Sequence, residues 1–356
     1  MLKLTIKPMK SKILKWTLII ISIIIAILGT GGFFLYQKIY SNNVMPGSKG
    51  AYYIYIATNG TFDNVVDSLE KHHVLIDMSG FKWVASRKKY EDKVKAGRYE
   101  ILPGMSNNEI VNMLRIGKQK PIKLTFNNIR TKAELAGKIS AQLEFDSLSL
   151  IQILNDNSYL QNFGFTTESV ISIFIPNTYE MNWNKTPKEF FEKMNKEYKK
   201  FWTESRERKR KSLKLSKLEI STLASIVQAE QAVRNDEKPR VAGLYVNRIN
   251  KGMLLESCPT LIYAIGDFSI RRILNKDKEI ESPYNTYKYP GLPPGPINLP
   301  EISSIDAVLN YEKTEYIFMC AKEDFSGYHY FSTNFHQHNI YAQRYQMVLD
   351  RKGIKR

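Results

Sequence analysis

The run from Trp16 to Tyr36 (WTLIIISIIIAILGTGGFFLY) contains no charged residue, and it constrains the chain more than any other feature. A helix needs about 20 apolar residues to cross the hydrocarbon of a bilayer, and this run supplies them. Trp16, Phe33, Phe34 and Tyr36 stand at its ends, where amphipathic rings favour the interface. Five lysines precede it (Lys3, Lys7, Lys10, Lys12 and Lys15), whereas only Lys38 follows closely. That asymmetry orients such a helix with its N-terminus inside. The competing reading is a cleaved signal peptide, for which Gly29 to Gly32 offer small residues near a cleavage point. Signal peptides carry a shorter apolar core of about 7–15 residues and an A-x-A pattern, which this run lacks. The expectation is a basic cytoplasmic tail over 1–15 and one helix over 16–36 crossing the cytoplasmic (inner) membrane. The body would then be extracytoplasmic.

The chain of 356 residues has a formal net charge of +17 and remains basic without its first lysines. Such a field favours polyanionic partners: nucleic acid, anionic lipid or a carboxylate-bearing wall polymer. Nucleic acid is hard to reconcile with export, and the sequence carries no recognition motif for it. The densest basic stretch, Arg206 to Lys217 (RERKRKSLKLSK), reads as a solvated helix end and loop. Two cysteines, Cys258 and Cys320, are too few for a disulfide scaffold, so free buried thiols are the default. His329, His336 and His338 are spaced by seven and two residues, which matches no common zinc pattern, and they read as structural or surface residues. No metal or cofactor is expected.

Residues 37–50 are polar, with Pro46 and two glycines, and read as a linker. Over 51–125, strand-like segments (AYYIYIA, GRYEIL, PIKLTF) alternate with helical ones (TFDNVVDSLEK, SNNEIVNMLRI), so a small α+β module is expected. From about Thr131 the chain turns more helical. Tyr284 to Pro300 (YNTYKYPGLPPGPINLP) is too rich in proline and glycine for regular structure and reads as an ordered loop within one domain.

Ser216 to Gln231 (SKLEISTLASIVQAEQ) is the most informative segment. Ser216 with Glu219 three residues on is a capping box, so a helix starts here. At about 100° per residue, Ile220, Leu223, Ala224, Ile226 and Val227 form one stripe, and Glu230 falls inside it. A carboxylate on a buried face is costly unless paired or protonated. Desolvation raises its pKa, which is what a general acid acting on a glycosidic oxygen requires. Two bland readings stand beside this one: the helix ends near Glu230, or Glu230 pairs with Arg234 or Arg248.

LASIVQAEQ, then VAGLYVNRINKGMLLESCPTLIYAIG, then SPYNTYKYPGLPPGPI, then GYHYFSTNFHQHN resemble, in order and spacing, the endolytic murein transglycosylase family (MltG, or YceG-like). Ile175 to Glu180 (IPNTYE) resembles that family's FPDTY element. The family's catalytic glutamate stands at the second acidic position of an IVEKET-like helix, and matching residue by residue puts it at Glu230. The first acidic position is Gln228 here and the usual threonine is Gln231. The aspartate before Pro-Thr is Cys258, and the aspartate of FPDTY is Asn177. The resemblance implies an α+β fold class: an N-terminal transmembrane helix, a small LysM-like module over 51–125 and a larger mixed α+β catalytic domain over 126–356.

The activity it implies is lytic cleavage of the β-1,4 bond between N-acetylmuramic acid and N-acetylglucosamine. The muramic acid's own 6-hydroxyl attacks and leaves a 1,6-anhydro end. Most glycosidases need two carboxylates; an intramolecular nucleophile lets one suffice. Implied partners are peptidoglycan glycan strands, the cytoplasmic membrane and cell-wall synthesis machinery. Asn247, Thr260, Tyr263, Tyr284, Asn285, Thr286 and Tyr287 are candidate substrate-binding residues, each with internal bracing as its alternative. One rival is a non-catalytic peptidoglycan-binding scaffold. Another is a hydrolytic muramidase, which needs a second carboxylate; Asp267, Glu279 and Glu281 are the nearest candidates.

Overall fold

The computed structural model describes residues 9–46 and 50–353. The tail before Met9, including Lys3 and Lys7, lies outside the described residues, as do linker residues 47–49. The chain divides into two compact units. Unit 1 runs to Ile122 and adds Asn182–Asn184, and unit 2 holds Lys123–Met181 and Lys185 onward.

Unit 1 opens with α1 (Met9–Tyr40), in which Leu14–Tyr40 is long and apolar enough to cross a membrane; its most apolar stretch is not buried against the protein, while Ile39 near its end packs on the core of the unit. The order continues β1 (Tyr52–Ile56), α2 (Phe62–Lys71), α3 (Met78–Arg87), β2 (Gly97–Ile101) and α4 (Asn107–Ile116). β1 and β2 pair antiparallel, with Ile54 opposite Tyr99 and Tyr52 opposite Ile101. Alternation puts Ile54, Ile56, Tyr99 and Ile101 on one face, where they meet Val65, Leu69, Phe81, Val84, Ile110 and Leu114 from the helices. The capping box of α4 forms as its sequence requires, with the Ser106 N–H donating to Glu109 Oε2 at 2.8 Å.

Residues 37–46 differ from the linker expected over 37–50. Gln37–Tyr40 continue α1, and Asn43 and Val44 are buried. The Asn43 amide donates to Asp77 O at 2.8 Å and Asn107 Oδ1 at 2.6 Å, and accepts from the Asp77 N–H at 2.6 Å. Asn107 in turn donates to Lys38 O at 2.9 Å. A polar composition marks loops, yet an asparagine can also satisfy backbone groups between elements, and here it ties α1 to α3 and α4.

In unit 2, β3 (Ile122–Phe126, of which only the first residue falls in unit 1) pairs with β4 (Asn177–Met181). Between them lie α5 (Lys132–Ser140), α6 (Ser147–Asn155) and α7 (Asn157–Gln161); α8 (Pro187–Phe201) and α9 (Glu204–Leu213) follow. No residue of α9 is buried, in keeping with its charge. The core of unit 2 is formed by α10 (Lys217–Glu230), α11 (Lys238–Asn250) and, after α12 (Cys258–Ile265), α13 (Ile302–Leu309). α10, α11 and α13 pack on one another through Ile220, Leu223, Val227, Val241, Leu244, Ile305 and Val308. Gly243 lets the backbone of Glu312 lie against α11, where any Cβ would overlap the carbonyl of Glu312. The chain closes with an antiparallel pair, β5 (Phe318–Ala321) and β6 (His329–Ser332), and α14 (Phe335–Arg351). The proline-rich loop is ordered against α10: the Ile297 N–H donates to Ser225 Oγ at 3.0 Å, and Asn298 donates to Ser225 O at 2.9 Å.

Candidate active site

The Ser216 cap starts α10 and the helix stops at Glu230, with Gln231 as its C-cap. The helix therefore does end at the carboxylate, and that end is walled by other elements. Tyr245 on α11 donates its hydroxyl to Glu230 Oε1 at 2.9 Å, and Ser257, just before α12, donates to the same oxygen at 2.6 Å. No donor among the described residues reaches Oε2. Burial raises the pKa of Glu230; the hydrogen bonds from Ser257 and Tyr245 and the charges of His329 and Arg248 oppose the rise without cancelling it. Tyr245, itself buried, is held far above its ordinary pKa and stays a neutral donor.

The ion-pair alternative is absent. Arg234 donates to Ser326 O at 3.0 and 2.7 Å. Arg248 donates to the carbonyls of Ile317, Leu254 and Leu255 and to Glu256 Oε2 at 2.8 Å. Glu230 lines a cavity of about 520 Å³ together with Tyr245, Cys258, Tyr287, Cys320 and His329.

His329 is fixed by a second buried carboxylate. Glu237 Oε1 accepts the His329 backbone N–H at 3.0 Å, and Oε2 accepts from His329 Nδ1 at 2.8 Å and from the Gln231 amide. A carboxylate only accepts, so Nδ1 carries a proton and Nε2 is the nitrogen left over. Burial would raise the pKa of Glu237, but these donors win and hold it below the usual carboxylate range.

The sequence model of the YceG-like family matches residues 54–344. The chain belongs to that family. It is 28% identical over 330 residues to the endolytic murein transglycosylase of Bacillus subtilis, covering 88% of this chain and 90% of that protein. To the protein of the same name from Streptococcus pneumoniae it is 26% identical over 358 residues, covering 89% of this chain and 63% of the pneumococcal one. A crystal structure of a YceG-like protein from Listeria monocytogenes superposes with a TM-score of 0.53 at 27% identity, covering 82% of this chain and 99% of that one.

Among the other sequence candidates in this YceG-like chain, Tyr287 alone joins Glu230 in the cavity, its hydroxyl 3.2 Å from Cys258 Sγ. Thr286 and Thr260 are buried behind it: Thr286 Oγ1 accepts the Ser257 N–H at 3.0 Å and lies 2.8 Å from Thr260 Oγ1, which donates to Ser257 O. They fix the residue that holds Glu230. Asn285 is fully buried and braces the loop through Lys278 O and Ile280 O, both at 2.8 Å. Asn247 donates to Thr314 O and Tyr316 O and is not part of the cavity. Tyr263 and Tyr284 pair ring to ring at 4.7 Å, and Tyr263 faces a second cavity.

The four departures from the family pattern have visible partners. Gln228 Oε1 accepts the Glu301 N–H at 2.6 Å at the start of α13. Gln231 holds Glu237, and Asn177 accepts from its neighbour Thr178. Cys258 is exposed rather than buried as expected, and Cys320 is half-buried; both thiols are free. Their pKa values are nevertheless raised by packing around the sulfurs, that of Cys320 to about 11. Of the histidines, His329 and His338 line the cavity while His336 is exposed. Among the described residues, no group of three or more His, Cys, Asp or Glu is arranged to hold a metal.

Sequence reasoning missed Tyr245, Ser257 and the pair Glu237–His329. Tyr245 sits in an apolar stripe beside Leu244 and Val246 and reads as core. The one available signal was the HYF strand bearing His329 within the matching segment, which spacing alone directed to a structural role.

Proposed function

We propose that this chain is a membrane-anchored endolytic lytic transglycosylase. It would cleave the β-1,4 bond between N-acetylmuramic acid and N-acetylglucosamine in peptidoglycan and leave a 1,6-anhydro end. The observation that carries the reading is the carboxyl of Glu230, with a raised pKa, two hydroxyl donors on Oε1 and none on Oε2. With Oε1 occupied, the acidic proton resides on Oε2, where it protonates the leaving glycosidic oxygen. The carboxylate so formed is stabilised by Tyr245 and Ser257. It then takes the proton of the muramic 6-hydroxyl as that oxygen attacks the anomeric carbon. A nucleophile carried by the substrate is already close, an advantage that reaches effective concentrations of about 10⁵–10⁸ M in well-oriented cases.

Among the described residues, the acids that the hydrolytic alternative would call on are already engaged. Glu256, the other acid lining the cavity, is paired with Arg248 at 2.8 Å. Glu279 and Glu281 pair with Lys288, and Asp267 caps its own turn through Ser269. His329, oriented by Glu237, lines the same cavity as Glu230.

Anchoring by α1 with the N-terminus inside, a LysM-like glycan-holding role for residues 51–125, and action on nascent strands beside the synthetic machinery belong to the same proposal. The anchoring and its orientation are supported by the apolar span and the lysine asymmetry. The test is mass spectrometry of glycan digested by the full chain and by Glu230→Gln. The wild type should yield 1,6-anhydro ends and the variant none; reducing ends from the wild type would select the muramidase, and no cleavage the scaffold.

A further inference from the structure

Within unit 1 the apolar span runs into the folded body without slack. A helix rises about 1.5 Å per residue, so Lys38 lies only about 3 Å, and Tyr40 about 6 Å, beyond the end of the uncharged run at Tyr36. α1 stays helical over that distance and packs on α3 and α4. Two buried asparagines clamp it there: Asn107 donates to Lys38 O at 2.9 Å, and Asn43 joins Asn107 to Asp77 at the start of α3.

Beside Lys38 stands an aromatic and cationic cluster. The Lys38 ammonium is 5.6 Å from the centroid of the Trp83 ring, and the Arg87 guanidinium, one turn further along α3, is 5.3 Å from the same centroid. Trp83 is half-buried and Arg87 exposed. Among the described residues no carboxylate forms an ion pair with either cation. Asp77, the acid whose carboxylate feels the Lys38 charge, is held by the Ser79 hydroxyl at 2.6 Å and the Gly80 N–H at 2.9 Å. Tyr36 and Tyr40 are exposed and pair with ring centroids 5.2 Å apart. At about 100° per residue they lie on the far side of α1 from Lys38.

The headgroup layer of a bilayer is about 5–7 Å thick on each side of the hydrocarbon. With Tyr36 at the hydrocarbon edge, Lys38 falls inside that layer, and helical side chains lean back toward the N-terminus, which here means toward the bilayer. Trp83 and Arg87, in contact with Lys38, are carried into the same layer because the asparagine clamp leaves no free linker between them and α1. Amphipathic rings favour this interface, and unpaired basic side chains are drawn to its phosphates. We propose that the Lys38–Trp83–Arg87 cluster seats unit 1 on the membrane surface, with the two cations binding the phosphates of anionic phospholipid headgroups. The inference rests on the proposed crossing by α1 and deepens it: the anchor is a stiff stem, and the unit that follows is itself a lipid-contacting body.

The test uses the full chain in lipid nanodiscs, in two single-tryptophan forms. One keeps Trp83 and the other keeps Trp16, with the remaining tryptophans replaced by Phe. The quenchers are spin-labelled phospholipids that carry the label either just below the headgroup or deep on the acyl chain. The shallow label should quench Trp83 more strongly than the deep one. Shallow-labelled phosphatidylglycerol should reach half-maximal quenching at about a fivefold lower mole fraction than its phosphatidylcholine analogue, the weight of one basic side chain near an anionic surface. Lys38→Gln combined with Arg87→Gln should erase that preference with circular dichroism unchanged. Quenching of Trp16 without quenching of Trp83 overturns the seat and leaves the anchor standing. A phosphatidylglycerol preference that is absent from the parent, or fully kept in the double variant, overturns the binding of phosphate by the two cations. If neither tryptophan is quenched, the crossing fails and the seat fails with it. Trp83 quenched in a chain whose Trp16 is not keeps the seat and rejects the crossing.

Discussion

Glu230 and Glu237 stand on either side of one turn in unit 2, at the end of α10 and just before α11, and their surroundings drive them in opposite directions. Glu230 receives two neutral hydroxyls on a single oxygen, and desolvation prevails, so its pKa rises. Glu237 receives a backbone N–H, an imidazole N–H and an amide N–H spread over both oxygens, and its pKa falls despite burial. One carboxyl is suited to lend a proton and the other to remain charged and orient an imidazole. Environments that push paired acids apart in this way commonly separate catalytic from supporting roles.

The sharpest way to break that contrast is Glu230→Gln, which keeps the shape and removes the proton. Formation of 1,6-anhydro ends should fall by at least about 100-fold, with circular dichroism unchanged. The same variant should be more heat-stable than wild type at neutral pH. An acid whose folded pKa is raised destabilises the fold as pH climbs from the unfolded value through the raised one, and below the unfolded value the difference vanishes. Equal melting temperatures at pH 4 and pH 8 would contradict the desolvated carboxyl.

Next in size is Tyr245→Phe. One donor that favours the charged form is lost, so kcat should drop about tenfold and the alkaline limb of kcat/KM should move to higher pH. An unmoved limb would mean that the hydroxyl does not tune Glu230. Glu237→Gln should act on stability first, costing about 1–3 kcal/mol at pH 7 in denaturant titrations. Because the folded pKa of Glu237 is depressed, its contribution is present above the unfolded carboxylate value and is lost as pH falls through the folded one. The wild-type advantage should therefore shrink on acidification, opposite in sign to the Glu230 result. The smallest effect is expected for Cys258→Ser, where a neutral thiol on the cavity rim is replaced by a similar polar group. Stability should change by no more than about 0.5 kcal/mol, and a complete loss of product would give Cys258 a role that its raised pKa argues against.

Local pattern carried much of this. The capping box at Ser216 and the stripe through Val227 already marked Glu230, and the YNTY and GLPPGPI segments already pointed to the family. Pattern misjudged Asn43, because composition does not reveal that a polar residue will be buried between α1, α3 and α4. It also left Thr260, Thr286 and Tyr287 undistinguished, although two brace Ser257 from behind and one faces the cavity.

The sequence by itself determined the apolar span, the start and face of α10, and the identity of the acid that lies on that face. These follow from charge absence, capping and a 3.6-residue period, all legible within a few turns of chain. Only the tertiary structure decided which oxygen of Glu230 is occupied, that His329 shares its cavity, and that Arg130 and Asn298 line another. Those depend on bringing together residues 15 to about 170 positions apart, and periodicity carries no information at that range.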